Sequence, residues 1–167
     1  MASATKKCLL LRAEFFRMRV VIQRVKNAAV HIGGRQQAGI GPGMLVLLGI
    51  TQDDTEEDID YLCRKISRLR IFDDEKGVMN LDIQAVDGDC IVVSQFTLYA
   101  DTRKGNRPSY MQAAAPEISV PLYRRFVAAL QEVLPKPVQT GEFGADMQVT
   151  LCNDGPVTIC IDSKERK

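Results

Sequence analysis

The run Met44-Leu45-Val46-Leu47-Leu48-Gly49-Ile50 carries no polar side chain. It is far short of the ~20 apolar residues that cross a bilayer. A strand that does not alternate with polar residues is buried on both faces, so it demands a covering layer on each side. The flanking sequence supplies candidates of two kinds. Upstream, Arg19–Val25 and Asn27–Ile32 read as strands, Gly33-Gly34 as a hairpin turn, Gln36–Ile40 as a short strand and Gly41-Pro42-Gly43 as a second turn. Downstream the period changes. Ile59, Leu62, Cys63, Ile66 and Leu69 recur on one helical face. Thr55 is placed to cap this helix, with Glu56, Glu57 and Asp58 in its first turn and Arg64, Lys65, Arg68 and Arg70 toward its end. The dense acids from Asp53 to Asp58 therefore read as a helix start without a histidine partner, not as a metal site.

Further on, Leu69–Phe72 and Val78–Leu81 read as short strands, Cys90–Tyr99 as a long one and Asp101–Ser109 as a polar loop. A second helix is expected from Ser119 to Leu134, with Leu122, Phe126, Leu130 and Val133 as its apolar stripe and Pro121 in its first turn. Met147–Cys152 and Val157–Asp162 close the chain as strands, with Asn153–Thr158 as a plain turn between them. The pattern is α+β: an antiparallel-rich, barrel-like sheet in a single domain, with two main helices outside strict strand–helix–strand alternation. A length of 167 residues suits one such domain.

Composition narrows the chemistry. Lys and Arg exceed Asp and Glu by 22 to 21, which excludes a strongly basic nucleic-acid glove as a whole-protein property but leaves room for a local basic patch. The five cysteines include no C-x-x-C pair and read as reduced core thiols. The single histidine, His31, lies in an alternating strand, so a triad mechanism would have to recruit a residue that reads as solvated. Residues 1–17 stand apart. Lys6, Lys7, Arg12 and Arg17 face one acid, Glu14, and the segment reads as an extension or an upstream start, with mitochondrial targeting as the alternative to a cytoplasmic protein. Residues 18–167 form the domain.

Three segments stand out as candidate sites. Ser94-Gln95-Phe96-Thr97 ends an apolar strand with polar residues, which is either a hydrogen-bonding site or a strand leaving the core. Asn153-Asp154-Gly155-Pro156-Val157-Thr158 is either a turn or a rigid corner that leaves carbonyl oxygens exposed. The stretch from Asp101 to Tyr110 carries Arg103, Lys104 and Arg107, which can neutralise phosphates, and Tyr110, which can stack on a base; the alternative is a solvated loop.

Together with Met18–Val25, Ile40–Gly43, Leu69–Phe72, Met79–Leu81 and Phe143–Met147, these segments resemble the D-aminoacyl-tRNA deacylases, also called D-tyrosyl-tRNA deacylases. Tyr110 stands where that family usually has Phe. The resemblance implies hydrolysis of the ester between a D-amino acid, or glycine, and the 3′-terminal ribose of tRNA, releasing free tRNA. It implies a homodimer with its active site at the subunit interface, tRNA as the partner, and no cofactor, metal or membrane. Ser94, Gln95, Phe96 and Thr97 then line the pocket beside the scissile ester. With no base evident to activate the Thr97 hydroxyl, backbone N–H groups around Gln95 and Phe96 are the better candidates for stabilising the oxyanion, and the resemblance implies that the ribose 2′-hydroxyl helps activate water. Gly155-Pro156 is implied to be cis and inserted into the partner's pocket to exclude L substrates, with Arg24 holding that loop and Phe143 near the terminal adenosine. Two rival readings are a sibling deacylase with relaxed selectivity toward small L-amino acids and a nucleic-acid-binding module without hydrolytic activity.

Overall fold

In the computed structural model, which describes residues 17–164, the strand β1 (Arg19–Ile32) organises the sheet because both of its edges are paired. Along one edge it meets β2 (Arg35–Ile40) and β3 (Gly43–Gly49), both antiparallel. The helix α1 (Glu56–Arg68), a small hairpin of β4 (Phe72–Asp73) and β5 (Met79–Leu81), and the strand β6 (Asp89–Ser94) follow. A 3-10 turn over Phe96–Tyr99, the helix α2 (Pro116–Val133) and the strands β7 (Val138–Thr140) and β8 (Met147–Asp162) complete the chain. β8 lies antiparallel along the other edge of β1, from Arg19 opposite Asp162 to Ile32 opposite Met147. The proposed extension, apart from Arg17, lies outside the described residues.

The strand pattern differs from expectation in several places, among them the unforeseen short strand β7. The stretches on either side of Lys26 form one strand: the polar pair Lys26-Asn27 is exposed, but the chain passes it through register shifts against β8 instead of stopping. Asn153–Thr158 is not a hairpin turn, because the segments flanking it pair with β1 and not with each other. The sheet is mixed: β3–β6 and β6–β7 are parallel. Each helix sits in one of those parallel connections, α1 between β3 and β6 and α2 between β6 and β7, while the β4–β5 hairpin and the antiparallel strands around β1 keep the chain outside strict strand–helix–strand alternation, as expected. Finally, Leu69–Ile71 lies outside β4, which is only two residues long.

The order β2-β1-β3-β6-β7 curls until its edges meet, and the Gly39 N–H donates to Oε1 of Gln139 at 2.9 Å. The result is a nearly closed mixed barrel with two helices. The apolar run in β3 now has its explanation. Met44, Val46 and Leu48 point toward Ile59, Leu62 and Ile66 of α1 and Phe126 and Leu130 of α2. Leu45 points the other way, into a second cluster with Val25, Val30, Ile40, Ile91 and Val93. Each such aliphatic side chain contributes about 1.5–3 kcal/mol of transfer free energy.

Thr55 caps α1 as expected, its N–H donating to Oδ2 of Asp58 at 2.8 Å. α2 begins at Pro116, earlier than Ser119, because proline is preorganised for a first helical turn; Pro121 lies inside it. Its buried face is Ser119, Tyr123, Phe126, Ala129 and Leu130, whereas Val133 is 41% exposed.

Candidate active site

β6 ends at Ser94, not at Tyr99. The Gln95 N–H takes one more bond across the ladder, to the Leu48 carbonyl at 2.7 Å. The chain then tightens into the 3-10 turn, with the Leu98 N–H donating to the Gln95 carbonyl at 3.3 Å. Tyr99 anchors the turn. Its hydroxyl lies between the carbonyls of Gly49, at 2.9 Å, and Arg17, and burial pushes its pKa up. The ring lies 2.8 Å from where a Cβ on Gly49 would stand, so this docking needs glycine there. Arg19 packs over the same ring and donates to the Leu98 carbonyl at 3.0 Å.

This break in the strand opens a cleft of about 580 Å³. Ser94, Gln95 and Phe96 line it from the end of β6, Pro116 and Ser119 from α2, Phe143–Asp146 from the loop before β8 and Met147 from the start of β8. Tyr110 meets Phe96 edge to face at 5.1 Å. Phe143 meets Tyr123 at 5.7 Å, and the Tyr123 hydroxyl is fixed by donating to the Val92 carbonyl at 2.8 Å. Thr97 does not line the cleft; its Oγ1 accepts from Nε2 of Gln95 at 2.5 Å. The lining contains no His, Cys, Lys or Arg, and Asp146 is its one carboxylate. Asp146 is thus the one charged side chain in the lining, and among the described residues no hydrogen bond joins it to Ser94 or Thr97. Ser119, Asp146 and the wall residues Leu48, Ile50 and Val93 went unrecognised in the sequence, because their roles as liners arise where separate elements meet.

Gly155 and Pro156 are exposed and do not line this cleft. Their peptide bond is cis. Arg24 sits beneath them, 7% exposed. Its Nε donates to the Asp154 carbonyl at 3.0 Å and its Nη1 to the Ile71 carbonyl at 2.6 Å, with Asp73 Oδ1 at 3.3 Å. A Cβ on Gly155 would approach Arg24 Nη2 to 3.1 Å and Val157 Cγ2 to 2.8 Å at a φ of +129°, so the corner requires glycine. A second brace was not foreseen. Gln23 Oε1 accepts from Asn153 Nδ2 at 2.5 Å and from Thr158 Oγ1 at 2.6 Å, while Asn153 Oδ1 accepts the Val157 N–H at 3.1 Å. The adjacent polar residues Gln23-Arg24, set between the apolar Val20–Ile22 and Val25, were the available clue. The eight site residues thus fall into three groups: Ser94, Gln95, Phe96 and Phe143 at the cleft, Thr97 just behind it, and Arg24 with Gly155-Pro156 elsewhere.

Solved structures place this architecture in a class. It superposes with a TM-score of 0.82 on a structure titled "c-Myc DNA Unwinding Element Binding Protein", at 40% identity over 86% of this chain and 97% of that one. It shares the fold of a probable eukaryotic D-amino acid tRNA deacylase, with a TM-score of 0.74 at 18% identity over 87% of this chain and 98% of that one. The class is thus the two-helix mixed barrel found in a deacylase. The family model described as D-Tyr-tRNA(Tyr) deacylase matches residues 21–162, and the chain belongs to that family. It is 59% identical to the D-aminoacyl-tRNA deacylase of Bacteroides thetaiotaomicron and 60% identical to that of Bacteroides fragilis, each over 150 residues covering 90% of this chain and all of the relative. Its activity is accordingly that of a D-aminoacyl-tRNA deacylase, a hydrolase acting on aminoacyl-tRNA. Among the described residues no helix is long and apolar enough to cross a membrane.

Proposed function

We propose that this deacylase acts as a cytoplasmic homodimer that cleaves D-aminoacyl and glycyl esters of tRNA while excluding L-aminoacyl esters. The observation that carries the reading is a separation. The cleft lined by Ser94, Gln95 and Phe96 and the braced corner at Gly155-Pro156 lie apart in one chain, and the corner is left exposed. In the dimer the corner of one protomer enters the cleft of its partner, and its carbonyls occupy the space that an L side chain would need. Exclusion of one enantiomer, rather than recognition of the other, accommodates varied D side chains. Arg24 and the Gln23–Asn153–Thr158 brace keep the corner in place for that task.

For the chemistry, the lining favours electrostatic stabilisation over a side-chain nucleophile. Gln95 has already given its N–H to Leu48, so the oxyanion donor in this reading is the N–H of Phe96, which lines the cleft, opens the 3-10 turn and has no carbonyl within it to bond. Losing one such donor typically costs ~10²–10³ in rate. Ser94 and the Gln95 side chain position the ester, the substrate's own ribose 2′-hydroxyl helps activate water, and Phe143 stacks near the terminal adenosine.

The test is hydrolysis of D-Tyr-tRNA, L-Tyr-tRNA and Gly-tRNA side by side, with a chelator present. Cleavage of the D and glycyl esters with the L ester spared is expected, and Pro156→Ala is expected to erode L rejection. Cleavage of small L-aminoacyl esters by the unaltered enzyme establishes the relaxed sibling instead, and binding without cleavage establishes the non-catalytic module.

A further inference from the structure

Beside the cleft, residues 101–109 form a loop closed at its base by two hydrogen bonds, from Asp101 N–H to the Ser109 carbonyl at 2.8 Å and from Ser109 N–H to the Asp101 carbonyl at 2.9 Å. Its three cations are not equivalent. Arg103 folds back on Asp101, Nη2 to Oδ2 at 2.7 Å and Nε to Oδ1 at 3.0 Å, and so braces the loop. Lys104 and Arg107 are exposed and form no ion pair among the described residues, although the Lys104 charge adds to Arg103 in holding the Asp101 carboxyl below its usual range. The loop closes one residue before Tyr110, which lines the cleft and packs on Phe96. The carboxylate in the lining, Asp146, belongs to the loop before β8 and repels an anionic chain.

Resting on the deacylase reading above, we propose that Lys104 and Arg107 are the phosphate-contacting residues that hold the single-stranded 3′ end of the tRNA as its aminoacyl group enters the cleft. A substrate whose terminal ester lies at Ser94–Phe96 must lead its phosphodiester backbone out of the cleft. The side bearing two unpaired cations, on a loop tied down at its base, is where that backbone is favoured. Such contacts carry no sequence information, which suits an enzyme serving tRNAs with different amino acids. They supply affinity that weakens with salt, by ~0.7 in the log–log slope for each phosphate neutralised on a single strand.

The experiment compares the unaltered protein with the double variant Lys104→Ala/Arg107→Ala and the conservative swap Lys104→Arg/Arg107→Lys. Three readouts are taken: Kd for uncharged tRNA from 50 to 400 mM salt, kcat and KM on D-Tyr-tRNA, and cleavage of 3′-O-D-tyrosyl-adenosine, which has the ester and no phosphate. The alanine pair is expected to raise Kd and KM about tenfold near 100 mM salt and to lower the salt slope by about 1.4, for two lost contacts. The swap should retain both values, and the loss should be confined to the phosphate-bearing substrate. Unchanged Kd and slope in the alanine pair overturn the proposal, as does an equal loss on the adenosine ester, which would mean damage to the cleft. Failure of the unaltered protein to cleave either ester overturns the deacylase mechanism alone, because the tRNA-binding arm is read without catalysis.

Discussion

Asp54 illustrates how one side chain couples the fold to pH. It is 7% exposed, its Oδ2 accepts the Thr51 N–H at 2.6 Å, and among the described residues its Oδ1 and the Thr51 hydroxyl have no hydrogen-bond partner. Burial pushes its carboxyl up from 3.8 to about 6, with nearby Asp58 adding to the shift against the lowering effect of the Thr51 N–H. A carboxyl raised in the folded state binds its proton more tightly there than in the unfolded chain. The fold therefore loses stability as pH climbs from about 4 through about 6, and the penalty then stays constant. Asp54→Asn keeps an acceptor for Thr51 N–H and offers its amide to the Thr51 hydroxyl. Urea titrations should show the variant equal to the parent near pH 4 and more stable by about 2–3 kcal/mol at pH 8, from a shift of roughly two units at ~1.4 kcal/mol each. Thr97 makes the opposite case, a residue whose hydroxyl is directed to a neighbour. Thr97→Ala should keep single-turnover hydrolysis of D-Tyr-tRNA within about tenfold of the parent, whereas a lost nucleophile costs far more.

At the level of elements, the start of β3 controls how the parallel half of the barrel assembles. Gly43 packs against the backbone of Asp89, where a Cβ would overlap the peptide itself. The Asp89 N–H also donates to the Pro42 carbonyl at 3.0 Å. Gly43→Ala must push β3 and β6 apart at the first rung of their ladder. A loss of about 1–3 kcal/mol in chemical denaturation is expected, the range for overpacking, with the m-value unchanged. The same ladder feeds the active site, since the bond from Gln95 N–H to Leu48 is its continuation. A displaced β6 should therefore also lower kcat.

For the whole molecule, the notable feature is a long edge. β8 has sixteen residues and pairs only with β1, leaving its other side without a strand among the described residues. Leu151 on this strand is 39% exposed, and Cys152 and Cys160 are exposed as well. Long unpaired strands are templates for association, and a second copy of the chain is the partner our proposed mechanism requires. Leu151→Asp should shift the mass measured by light scattering from two chains toward one at micromolar concentration. Discrimination between D- and L-Tyr-tRNA should fall with it, because the excluding corner then has no partner cleft to enter. A monomeric variant that still rejects the L ester would place the selectivity within one chain.

Local chemistry was legible in the sequence. The capped helix α1 and the two-faced burial of β3 follow from periodicity and capping residues, which act over a few positions. The segments at Ser94–Thr97 and Gly155-Pro156 stand out locally but leave two readings open each, and their expected roles come from the family resemblance. What the sequence could not settle was whatever depends on distant strands. Asn153–Thr158 looks like a hairpin turn locally, but the length of β1 beside it holds both flanks in one strand. Cys90–Tyr99 looks like one strand, but the carbonyl of Leu48 and the space above Gly49 bend it into a turn that opens the cleft. The cations of the 101–109 loop look alike in sequence, and only the fold distinguishes Arg103, which braces the loop, from Lys104 and Arg107, which form no ion pair among the described residues. Short-range preferences choose the elements, whereas bends, sites and free charges are fixed by which backbone groups the neighbouring elements leave available to bond.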